Sequence, residues 1–89
     1  MQKNKVTKVI DGDTFKVKGG DYIRIADIDT PEKGRKGSAA ATQALKELIA
    51  GKVITFNPVA KSYGRTVADK VKVGSTSVEK EMKKFNKKG

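Results

Sequence analysis

Eighty-nine residues allow a single domain with one core. The chain has no Cys and no His, which excludes disulfides, thiolate metal sites and every mechanism that uses an imidazole as base or ligand, so any metal must be held by oxygen. Its 20 Lys and Arg against 10 Asp and Glu give a net charge of +10, which points to a polyanion partner, nucleic acid first, with plain solubility as the bland alternative.

From Lys5 to Ile10 the run is rich in β-branched residues and ends at Asp11-Gly12-Asp13, where strand propensity gives way to turn chemistry. Thr14 to Lys18 alternates, Phe15 and Val17 on one face and Lys16 and Lys18 on the other, before Gly19-Gly20-Asp21 turns the chain into a hairpin. A third strand, Tyr22 to Ile28, puts Ile23 and Ile25 on one face and Arg24 on the other, and Pro31 ends regular pairing. Lys33 to Gly37 is a basic, glycine-punctuated loop. Ser38 to Ala50 has the pattern of a helix, with Ser38 as its cap, Ala41, Leu45, Leu48 and Ile49 as its apolar stripe, and Gly51 as its stop.

Val53 to Phe56 is a strand that Asn57-Pro58 should end, and Thr66 to Val73 is another, broken at Gly74. Thr76 and Glu79 have capping-box spacing ahead of a last helix carrying Val78, Met82 and Phe85. Three strands, a helix, two strands and a helix fit a mainly β, α+β fold: a five-stranded, partly open barrel of the OB type with a helix between strands three and four and a short C-terminal helix. Residues 1–82 are expected as the domain and 83–89 as a basic, fraying tail. No apolar run approaches the roughly 18 residues of a membrane span. Without an apolar leader after Met1 to Lys5, the chain as written reads as cytoplasmic, or as secreted if it is a processed form.

Six of the 10 acidic residues, Asp11, Asp13, Asp21, Asp27, Asp29 and Glu32, fall between positions 11 and 32 of a strongly basic chain. Asp13 closes the first turn, and Asp29 and Glu32 follow strand three. Strand pairing could therefore gather their oxygens around a hard cation such as calcium, although each Asp is also an ordinary turn former. Arginine is scarce, three residues in all, and two of them, Arg24 and Arg65, lie in the segments that hold these acids or a Tyr-Gly turn. A planar guanidinium suits bidentate phosphate binding, with a structural carboxylate pair as the lesser alternative.

The segments VIDGDTFKV (Val9 to Val17), IRIADIDTPE (Ile23 to Glu32) and SYGRTVA (Ser62 to Ala68), in this order with the helix between the last two, resemble the staphylococcal nuclease or thermonuclease family. The likeness runs from about Val6 to Met82. It implies an OB barrel that hydrolyses DNA and RNA phosphodiesters with calcium, leaving 3′-phosphates. By the same resemblance Asp13 and Asp29 are metal carboxylates, Thr30 gives a backbone carbonyl ligand, Glu32 is the general base, and Arg24 and Arg65 bind the phosphate in the transition state. Tyr63 is implied as a nucleotide contact; Lys61 and Arg35 are expected as further nucleic-acid contacts, with single strands favoured and a monomer expected. Ser62 stands where that family carries a lysine, and Lys61 beside it is the available substitute. The loop from Lys33 to Gly37 is shorter than the family's mobile loop. The chain stops soon after the helix beginning near Ser77, so the family's following loop, with its stacking tyrosine, and last helix are missing from it. The competing expectation is a non-catalytic nucleic-acid-binding OB module, or an incomplete piece of a longer nuclease.

Overall fold

The computed structural model of the protein describes residues 1–31 and 34–86; Glu32, Lys33 and residues 87–89 lie outside the described residues. The elements are β1 (Gln2–Asp11), β2 (Thr14–Val17), β3 (Tyr22–Ile25), α1 (Ser38–Ile49), β4 (Val53–Ser62), β5 (Arg65–Val73), β6 (Thr76–Ser77) and α2 (Val78–Met82), followed by a 3-10 turn at Lys83–Phe85. Strand order is β3-β2-β1-β4-β5-β6, and β3 also pairs with β5 in parallel. That pairing closes β1 to β5 into a five-stranded mixed barrel where a partly open one was expected; β6 is a two-residue addition to β5.

The barrel interior follows from strand alternation and its interruptions. Phe15, Val17, Ile23 and Ile25 point inward from β2 and β3, as their period of two predicts. Val6 and Val9 are both buried although three residues apart, because a register shift between Val6 and Lys8 re-aims β1. The α1 stripe of Ala41, Leu45 and Ile49 is fully buried, Leu48 is half-buried, and the helix packs on β1. Full burial of a Leu or Ile side chain contributes about 1.5–3 kcal/mol, so α1 is held mainly by this stripe. The last helix is anchored by Val78 and Met82, both fully buried, with Phe85 packed partly against the same core.

Several boundaries differ from expectation for identifiable reasons. β3 ends at Ile25 rather than Ile28, because Asp27 takes a positive φ of 65° and turns the chain; Ile28 still fills the core at 1% exposure. β4 runs through Asn57-Pro58 to Ser62, because register shifts between Thr55 and Asn57 and between Pro58 and Ala60 interrupt the ladder around the proline. The cap position of α1 is Gly37, at φ 87°, so Ser38 is the first helical residue and is buried instead of capping. In α2 the cap is Ser77, whose Oγ accepts from the Lys80 amide at 3.3 Å, one residue later than the expected Thr76. Glu79 is engaged elsewhere, accepting the Val71 amide of β5 at 2.8 Å. Among the described residues no helix is long and apolar enough to cross a membrane.

Candidate active site

Three segments meet at one end of the barrel: the β1–β2 turn, the stretch after β3, and the β4–β5 hairpin. In the first, the Asp13 amide donates to Asp11 Oδ1 at 3.1 Å, a side-chain turn that fixes the Asp11-Gly12-Asp13 corner. Gly12 is required here for closeness. A Cβ on it would lie 2.6 Å from Ala41 Cβ and 2.7 Å from Thr30 Oγ1, so the turn presses directly on α1 and on Thr30.

The turn buries Asp13. Its Oδ1 accepts from Thr14 Oγ1 at 3.0 Å, and its Oδ2 accepts from the Thr30 amide at 3.3 Å. Burial, with the hydrogen bonding and charge of neighbouring Asp11 added to it, lifts the Asp13 carboxyl above its ordinary value of 3.8; Arg24 and Thr14 pull against that rise. Thr30 is only 2% exposed, and its Oγ1 has no hydrogen-bond partner among the described residues. A buried hydroxyl with unmet capacity beside a buried carboxyl is costly unless something polar joins them.

Arg24 links the first two segments. It sits opposite Thr14 in the β2–β3 ladder and Val67 in the parallel β3–β5 pair, so its side chain stands over the seam that closes the barrel. Nη1 donates to the carbonyls of Ile25 and Ile28, which staples the turn after β3 and fixes the guanidinium. Nη2 faces two carboxylates, Asp13 Oδ2 at 3.5 Å and Asp29 Oδ1 at 3.8 Å. Both distances exceed those of a tight charge-assisted hydrogen bond, so Nη2 keeps donor capacity toward an incoming oxygen.

Arg65 opens β5 and pairs with Ser62 across a two-residue hairpin turn, Tyr63-Gly64, whose φ values of 51° and 76° have the positive sign such a turn needs. Val67 pairs with Arg24, and Arg65 lies two residues before it on the same strand face. The two arginines therefore share a cleft of about 310 Å³, with Ser62, Asp27 and Val67 in its wall. Tyr63 stands at the hairpin tip, 95% exposed, and Lys61 is exposed on β4 opposite Thr66.

The fold thus gathers Asp13, Arg24, Asp29 and Thr30 in mutual contact and brings Arg65 to the same cleft as Arg24. Glu32, the expected base, lies outside the described residues. Arg35 is placed apart from the paired arginines, lining a second cleft against α1. Among the described residues no group of three or more acidic side chains is arranged to hold a metal ion.

One neighbour of the site was invisible in the sequence. The Asp29 amide donates to Asn86 Oδ1 at 2.9 Å, across 57 residues of chain. Buried Val78 and Met82 and half-buried Phe85 seat the C-terminal turn so that Asn86 reaches the Asp29 loop. A lone Asn in a Lys-rich stretch carries no local signal of such a role.

No family model matches the chain. It is similar to an uncharacterized endonuclease of Escherichia coli O157:H7 and to one of Escherichia coli, each 37% identical over 65 residues. The matched stretch covers 68% of this chain and 42% of each relative, so the chain spans under half the length of the curated relatives it matches.

Proposed function

We propose that this chain is a nuclease domain of the staphylococcal nuclease type, hydrolysing phosphodiester bonds of DNA and RNA with calcium and leaving 3′-phosphates. The observation that carries the proposal is the shared cleft of Arg24 and Arg65, with Arg24 held against Asp13 and Asp29. That both relatives bear the name uncharacterized endonuclease agrees with it.

The donor chemistry suits a hard cation: Asp13 and Asp29 bring carboxylate oxygens to one place, and the chain has no Cys or His to favour a softer one. Asp13, Asp29 and the Thr30 carbonyl would hold it. When bound, calcium supplies charge neutralisation at the phosphate and a more acidic water. Arg24 and Arg65 grip the non-bridging phosphate oxygens, and their hold strengthens as charge gathers there. Glu32 takes a proton as the water oxygen bonds to phosphorus, and the bond from phosphorus to the 5′-oxygen breaks. The departing 5′-oxygen takes a proton from solvent to leave as a hydroxyl, Glu32 returns its own proton to solvent, and the phosphate stays on the 3′-side.

A second reading, a non-catalytic nucleic-acid-binding module, draws on the partners of Arg24: its two carbonyls and two carboxylates would also suit a structural arginine. The two readings separate on acid-soluble release from single-stranded DNA. Release with calcium that stops with chelator supports the nuclease. Salt-dependent binding by folded protein without release supports the module.

A further inference from the structure

We propose that the cleft between β1 and the outer face of α1 is a second contact for nucleic acid, gripping the phosphates of the strand away from the scissile bond. At about 670 Å³ it is roughly twice the volume of the cleft shared by Arg24 and Arg65. Ser38, Thr42 and Lys46 follow one another at intervals of four along α1, with Gln43 beside them, so one helical face supplies this wall. The buried stripe of Ala41, Leu45 and Ile49 faces the core instead. Lys8 of β1 and Arg35 of the loop before α1 complete the cleft.

Its charge is one-sided. Among the described residues Lys8, Arg35 and Lys46 line it and no carboxylate does, whereas the cleft beside α2 interleaves Asp27, Asp69 and Glu79 with four lysines. The ion pairs seen among the described residues all belong to Arg24, so these three cations have no carboxylate partner among those residues. Like charges drawn together cost stability until a polyanion neutralises them. Hydroxyl and amide side chains among the cations suit phosphate oxygens, and among the described residues no aromatic side chain lines the cleft to stack a base. The contact is therefore to the backbone and blind to sequence. The identity of this polyanion rests on the nuclease reading; its binding does not depend on turnover.

The test measures anisotropy of a labelled single-stranded oligonucleotide across a salt series, with chelator present to stop cleavage. Each phosphate contact in a single strand contributes about 0.7 to the slope of log affinity against log salt, so a Lys8→Gln/Lys46→Gln variant should lose about 1.4 from it. A Lys3→Gln/Lys72→Gln variant, equal in net charge and remote from the cleft, should lose clearly less. Equal losses in the two variants, an unchanged slope in the first, or no binding by the wild type would each overturn the inference. Wild-type cleavage with calcium is scored separately: its absence would sink the nuclease reading, while the slopes still judge the cleft.

Discussion

Replacing Gly12 by Ala probes how the site is assembled. The added Cβ would meet Ala41 Cβ at 2.6 Å and Thr30 Cβ at 3.0 Å, both fixed to backbone, against a comfortable carbon separation of about 3.5–4.0 Å. Overpacking of this kind costs about 1–3 kcal/mol. Gly12 is not among the glycines with positive φ, so Ala also gains about 0.4–1 kcal/mol from a less free unfolded chain. The net loss is about 1–2 kcal/mol, which for a domain of this size lowers Tm by about 5–15 °C. Adding Ala41→Gly removes the closest contact, so the double variant should be more stable than the sum of the two single losses by about 1 kcal/mol. Thermal unfolding followed by circular dichroism measures all four proteins. Additive losses, or a Gly12→Ala variant as stable as wild type, would refute the close approach of the first turn to α1.

The other predictions concern the residues around this turn. Arg24→Lys keeps the charge but loses the planar fork, and should slow cleavage about 100-fold or more; a rate within a few-fold of wild type would assign Arg24 to structure alone. Asn86→Ala removes the acceptor for the Asp29 amide, and should weaken calcium binding in calorimetry at a stability cost of about 0.5–1.5 kcal/mol, whereas Asn86→Asp, which keeps an acceptor oxygen, should retain more of both. Unaltered calcium affinity in Asn86→Ala would remove Asn86 from the site. The Asp13 carboxyl is raised, chiefly by burial, so its protonated form favours the folded state: that contribution is full below about 3.8 and is lost as pH rises through the folded value. In chelator, wild type should therefore lose stability relative to Asp13→Asn as pH rises from acid to neutral, and a gap independent of pH would contradict this.

Much of this architecture was legible because it is periodic. Phe15, Val17, Ile23 and Ile25 alternate and face inward, and Ala41, Leu45 and Ile49 recur at helical spacing and are buried. What escaped was set by tertiary contacts. Asn57-Pro58 reads as a strand end, and only the register shifts against β5 show how β4 continues past it. Asp27 looks able to extend β3, yet its positive φ, with Arg24 holding the flanking carbonyls, ends the strand. Arg24 and Arg65 could be named from short segments, but their common cleft depends on the parallel pairing of β3 with β5, which links residues some 40 positions apart. Asn86 could not be found at all, since its partner is Asp29 and nothing near it in the chain points there.

Under the proposed function, Asp13, Arg24, Asp29, Glu32 and Arg65 together perform hydrolysis. The decisive measurement is the initial rate of acid-soluble release from single-stranded DNA at saturating calcium, wild type beside Glu32→Gln, with circular dichroism confirming that both are folded. Wild type should release product rapidly and in a chelator-sensitive way, and the variant should be slower by orders of magnitude. Equal rates for the two folded proteins, or a wild type no faster than its chelated control, would contradict it.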